Sequence, residues 1–93
     1  MSRIERIRAT LQAALQPQSL EIEDESHLHA GHAGAATGRG HFRARIVSTA
    51  FSGLPLVQRH RKVYESLGEL MQTDIHALSI AAKTPEEAAK ETA

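Results

Sequence analysis

Apolar residues recur near the start of the chain at Ile4, Ile7, Leu11 and Leu15, the three- and four-residue spacing of one helical face. Ser2, followed three residues later by Glu5, predicts a capping box at its start, and Pro17 predicts its end. The period then shortens to two. Leu20 and Ile22 alternate with Glu21 and Glu23, the pattern of a half-buried strand. From Ser26 to Gly40 there are four glycines and neither period, so this segment reads as a loop. Phe42, Ala44 and Ile46 alternate with Arg43 and Arg45 in a second strand. Its outward arginines suit pairing with the outward glutamates of the first. Phe51-Ser52-Gly53 with Pro55 marks a turn. A long helix then runs to about Met71 with Leu56, His60, Val63, Leu67 and Leu70 inward, and with Arg61 and Glu65 as an outward pair one turn apart. Ile75 to Ala81 reads as a third strand, with His76, Leu78 and Ile80 sharing a face. Thr84-Pro85-Glu86-Glu87 is a second capping box with proline at the first helical position. The short helix it opens is expected to fray over residues 88–93.

The order is α-β-β-α-β-α, and the second strand, long helix and third strand form a crossover unit. Neighbouring strands joined that way are parallel, whereas the first two are most simply antiparallel, which predicts an α/β sandwich with a mixed three-stranded sheet. Parallel neighbours start at the same end of a sheet. His76, near the start of the third strand, is therefore expected beside His41 at the start of the second, where the histidine-bearing loop also ends.

Ninety-three residues suffice for one small domain. Its core must be aliphatic, because Phe42, Phe51 and Tyr64 are the only aromatics. Eleven basic and eleven acidic residues cancel, so bulk charge draws the chain to neither nucleic acid nor an acidic membrane. The absence of cysteine excludes a disulfide framework, a thiolate nucleophile and an all-cysteine cluster site, and fits a reducing, cytoplasmic setting. No apolar run approaches a membrane span, and no signal-peptide apolar region is present. Arg3, Arg6 and Arg8 resemble a basic organellar presequence, but Glu5 and the helical pattern favour a folded helix.

Six histidines carry the candidate chemistry. His27, His29 and His32 in the loop read either as a solvated segment or as a divalent-metal loop. His76 alone is more often a rim histidine satisfied by backbone, but its expected place beside the loop makes it a candidate ligand. A loop histidine and His76 supply two neutral nitrogens, an incomplete set that needs further ligands from a partner. His60, on the apolar stripe, reads as structural. Arg59, Arg61 and Lys62 form a basic cluster, either a solvated helix face or a phosphate-contacting one, without an aromatic platform. Nothing holds Ser26 and its neighbouring histidines in a triad, and no other catalytic constellation is visible, so an enzyme is not expected.

Asp24-Glu25-Ser26, His29, Gly40-His41-Phe42, Ile46-Val47-Ser48, Phe51-x-Gly53, Leu56-Val57-x-Arg59-His60-Arg61-x-Val63-Tyr64-x-x-Leu67, Ile75-His76-Ala77-Leu78 and Thr84-Pro85-Glu86 together resemble the BolA family, across residues 4 to about 87. The resemblance implies a single BolA-like domain, class II KH-like, over residues 1–93 with its core at about 2–87. It implies a non-enzymatic adaptor in iron–sulfur trafficking or iron sensing. In the family a monothiol glutaredoxin shares a bridging 2Fe–2S cluster, with glutathione and a glutaredoxin cysteine on one side. On this side the motif assigns His76 as one ligand and His29 as the other, with His32 and His27 as alternatives. The apo form would carry no cofactor, be monomeric and contact no membrane. The family's link to transcriptional control of morphology and stress genes implies an alternative, a DNA-binding regulator using Arg59, Arg61 and Lys62. Many members carry an aromatic residue soon after the Thr-Pro motif, where this chain has Glu87-Ala88-Ala89-Lys90.

Overall fold

The computed structural model describes residues 2–26 and 40–92. The first helix, α1, spans Arg3–Leu15 and starts as its capping box requires, with the Glu5 N–H donating to Ser2 Oγ at 3.2 Å. It stops at Gln16, whose left-handed φ of 44° turns its N–H back to the Gln12 carbonyl. Strand β1 (Ser19–Asp24) lies antiparallel to β2 (Gly40–Val47), and β3 (Ile75–Lys83) lies parallel to β2 on its other side. The sheet order β1-β2-β3 is the mixed arrangement that the crossover predicts.

The β1–β2 register opposes Leu20 to Ile46 and Ile22 to Ala44 on the inner face, and Glu21 to Arg45 and Glu23 to Arg43 on the outer face. The expected charge columns are thus in register. The resolved ion pairs of the two arginines, however, run to other carboxylates. Arg43 Nε lies 3.3 Å from Glu25, and Arg45 donates to Glu91 of the last helix.

A 3-10 turn at Thr49–Phe51 leads from β2 into the crossover. Ser48 pins it, donating through Oγ to the Leu15 carbonyl at 2.7 Å and accepting the Ala50 N–H at 3.0 Å. Helix α2 covers Leu56–Leu67, and a single-turn helix, α3, covers Leu70–Thr73. The expected continuous helix to Met71 is therefore interrupted. Gly68, at φ 54°, supplies the backbone conformation that other residues avoid. The inner face of α2 also differs from the one that spacing suggests. Arg59, Val63 and Leu67 are buried, while Leu56 and Val57 are 64% and 69% exposed. The long Arg59 side chain finds enough partners below the helix to be buried, which rotates the helix away from its first apolar residue.

Helix α4, Pro85–Thr92, opens with the reciprocal box: the Glu87 N–H donates to Thr84 Oγ1 at 3.2 Å and the Thr84 N–H to Glu87 Oε1 at 2.9 Å. Residues 88–92, expected to fray, complete this helix, because Arg45 and Lys83 both hold Glu91. Helices α1 and α2 pack on each other and against the sheet. Ile7, Leu11, Leu15, Ile22, Phe42, Ile46, Phe51, Val63, Leu67 and Ile75 make the core between them, each stabilising the fold by about 1.5–3 kcal/mol.

Candidate metal centre

The β2–β3 ladder contains an irregularity at its first rung. Gly40 faces Ile75 and His41 faces Ala77, so β3 carries one residue more than β2 over that step, and the extra residue is His76. This is a β-bulge, a device that re-aims a side chain. Strict alternation would place His76 inward with Leu78 and Ile80. Instead Ile75 is 1% exposed in the core and His76 is turned out to solvent.

Outside the core His76 meets His41, their ring centroids 5.0 Å apart and the planes tilted by 41°. The convergence that parallel topology predicts is present, and it brings in His41, which reasoning from the sequence used only as a landmark. The signal for it was the strand register itself. His29, His32 and His27 lie outside the described residues, as does the rest of the 27–39 loop.

The ends of that loop are described and are tied together. The Glu25 N–H donates to the His41 carbonyl at 2.8 Å, and the His41 N–H donates to Ser26 Oγ at 3.1 Å. The Ser26 N–H in turn donates to Asp24 Oδ1 at 2.9 Å. Gly40 makes this approach feasible: a Cβ there would sit 2.7 Å from the Phe42 ring and 2.8 Å from Ser26 Oγ. Ser26 is thus occupied in closing the loop stem. The loop therefore leaves and re-enters the fold beside His41 and His76.

Asp74 anchors the other side of the bulge. It is 8% exposed and accepts from Arg6 Nε at 3.0 Å, from Arg6 Nη2, and from Thr73 Oγ1 at 2.8 Å. The Arg6 bond, then the Thr73 bond, hold its carboxyl below the usual aspartate range.

Imidazole nitrogens suit a borderline metal such as iron or zinc; of the two, His76 is exposed, whereas His41 is half-buried with its Nε2 shielded from solvent. Among the described residues, no three His, Cys, Asp or Glu side chains gather as a metal ion requires.

Arg59 is not part of an open basic face. It is 8% exposed, and its Nε donates to the Leu54 carbonyl at 2.7 Å. Nη1 donates to the Ala82 carbonyl at 3.1 Å, and both terminal nitrogens reach Glu87, at 2.6 and 3.1 Å. Its assignment as a nucleic-acid contact is corrected: it clamps α2 to β3 and α4. The Arg59 bond pulls the Glu87 carboxyl down to about 2, with the Thr84 N–H second, and Glu87 raises the Arg59 pKa in return. Arg61 is exposed and Lys62 half-buried on a shallow groove with Gln58 and Glu65. His60 is half-buried beside Leu56 and Ile80 in an open cleft of about 450 Å³ between α2 and β3. Among the described residues no helix is long and apolar enough to cross a membrane.

These features define a small α/β domain with a mixed sheet whose parallel strands present histidines at one end. A family model described as BolA-like protein matches residues 11–87. The chain is 52% identical over 91 residues to SufE-like protein 1, chloroplastic/mitochondrial, of Arabidopsis thaliana, covering 92% of this chain and 24% of that protein. It is 42% identical over 81 residues to the DNA-binding transcriptional regulator BolA of Haemophilus influenzae, covering 87% and 76%. The solved BolA domain of SufE1 from Arabidopsis thaliana superposes with a TM-score of 0.83 at 49% identity, over 94% of this chain and 96% of that one. The chain belongs to the BolA-like family. It spans between a quarter and just over half of the length of the first curated relatives it matches.

Proposed function

We propose that this chain is a non-enzymatic adaptor that binds a monothiol glutaredoxin and completes the coordination of a 2Fe–2S cluster between the two proteins. The observation that carries this reading is the bulge that turns His76 out beside His41, at the stem of a loop bearing three more histidines. His76 and a loop histidine, His29 with His32 and His27 as alternatives, would hold the cluster from this side. Glutathione and a glutaredoxin cysteine complete it from the other. The cluster is cargo: it supplies iron and sulfide for transfer, or reports iron supply. This chain's own residues do three things. The bulge holds His76 ready before iron arrives. The Glu25–His41 and Ser26–His41 bonds keep the loop stem against it. Imidazole ligation leaves the cluster less negative than thiolate would, raising its potential, and makes retention pH-dependent, because a protonated imidazole cannot ligate.

The test is to form the complex with cluster-loaded glutaredoxin and record visible circular dichroism. His76→Ala is expected to abolish the histidine-ligated spectrum while leaving the apo fold intact. His29→Ala is expected to give a shorter-lived cluster, since His27 or His32 is close in sequence and can substitute. A wild-type spectrum from His76→Ala would end this reading.

A second reading is favoured by the name of the Haemophilus relative. It is a DNA-binding regulator acting through Arg61 and Lys62, with Arg59 withdrawn into the fold. Its test is the salt dependence of DNA retention.

A further inference from the structure

Regular alternation and the observed ladder are two competing registers for the start of β3. In the regular one, His76 would join Leu78 and Ile80 on the inner face and Ile75 would face solvent. In the observed one, Ile75 is inside, His76 is outside and the bulge absorbs the difference. Alternation counted from Leu78 and Ile80 favours the first, whereas burying Ile75 in place of an imidazole favours the second. Something must hold the chain on either side of the step.

On the far side, Ala77 is set by its rung with His41. On the near side, Asp74 is held at three points. Its N–H donates to the Leu70 carbonyl at 3.0 Å, ending α3. Its carbonyl accepts the Gly40 N–H at 3.0 Å, beginning the ladder with β2. Its carboxylate is gripped by Arg6 of α1 and by Thr73. With Asp74 tied to Gly40 and Ala77 tied to His41, two residues must fit where β2 has a single step. The backbone bonds serve strand and helix alike. The carboxylate bond is different, because it comes from α1, across 68 positions of sequence, and fixes the height of Asp74 against the rest of the fold.

We propose that Arg6 and Asp74 are a positioning pair that selects the bulged register of β3 and so turns His76 out of the sheet beside His41. This deepens the adaptor reading and rests on His76 being a ligand. The geometric claim itself is tested in the apo chain. The measurement is the nuclear Overhauser effect between the His41 and His76 ring protons, with far-UV circular dichroism and melting recorded in parallel. Arg6→Met keeps much of the side chain's apolar volume and removes the grip. It is expected to weaken the ring-to-ring effect at least threefold while helix and strand content stay unchanged, and Arg6→Lys is expected to restore most of it. Glu87→Gln, which loosens the Arg59 clamp instead, is expected to lower the melting temperature without touching the ring-to-ring effect. If Arg6→Met does not fold, Asp74→Asn gives the same readout with a smaller perturbation. A wild-type ring-to-ring effect in a folded Arg6→Met or Asp74→Asn, with only the melting temperature lowered, would overturn the proposal and leave the pair a stabilising contact. Failure of the ligand reading looks different: His76→Ala would then keep the cluster spectrum of the glutaredoxin complex, whatever the ring-to-ring measurement shows.

Discussion

A buried arginine needs acceptors for its donors, and Arg59 finds them in two carbonyls and the Glu87 carboxylate. A carboxyl held at about 2 against an ordinary 4.5 contributes stability that is complete above the ordinary value and lost as pH falls toward the depressed one. The Asp74 and Glu91 carboxyls are also held down, by Arg6 and by Lys83 with Arg45 respectively, and act in the same direction. The carboxylate contribution to the melting temperature is therefore expected to be flat from pH 7 to about 5 and to fall between about pH 4.5 and 2. In Glu87→Gln the pH 7 value should start lower and the acid fall should be shallower. Melting curves at half-unit steps check this, and an acid limb as steep as wild type would show that Glu87 does not carry it. Gly40 makes a second demand at this scale. Gly40→Ala forces a methyl group against the buried Phe42 ring and is expected to cost about 1–3 kcal/mol in denaturant unfolding.

The phase of α2 is a property of the whole element. Spacing from Leu56 through His60 to Val63 suggests one inner stripe, but the stripe that is buried runs through Arg59, Val63 and Leu67. Two substitutions separate the alternatives. Leu67→Ala is expected to cost about 2–5 kcal/mol, because it leaves a cavity in the core. Leu56→Ser is expected to change stability by less than about 0.5 kcal/mol, because Leu56 is largely exposed. Urea titrations of both variants check this, and comparable losses would restore the stripe that runs through Leu56. The same element-level effect acts in β3. A one-residue bulge exchanges the faces of Ile75 and His76, which alternation counted from Leu78 and Ile80 cannot reveal.

For the molecule as a whole, eleven cations balance eleven anions, and several cations are already committed to ion pairs. DNA binding is therefore expected to be weak and steeply salt-dependent. Changing Arg61 and Lys62 together to Gln should reduce low-salt retention without unfolding the chain, whereas Arg59→Gln should act through stability. Tight, sequence-selective binding at physiological salt, lost in the Arg61/Lys62 variant, would put the regulator reading ahead of the adaptor reading. Gel-shift titrations across salt concentrations distinguish the two.

Periodicity, capping boxes and turn residues are local, and they were enough to determine α1, the three strands, the crossover and the box that opens α4. Chain topology then carried them further: a crossover between sheet neighbours makes those strands parallel, which places His76 beside His41 before any coordinate is known. Other features depend on atoms distant in sequence and left no local trace. Arg59 turns inward to meet Glu87, and Glu91 holds the last helix through Arg45 and Lys83. The direction of His76 belongs with these. Alternation assigns it to the inner face, and only the ladder between Gly40 and Ala77, with Asp74 gripped from α1, turns it outward, because a strand's register is set by its neighbours and not by its own residues.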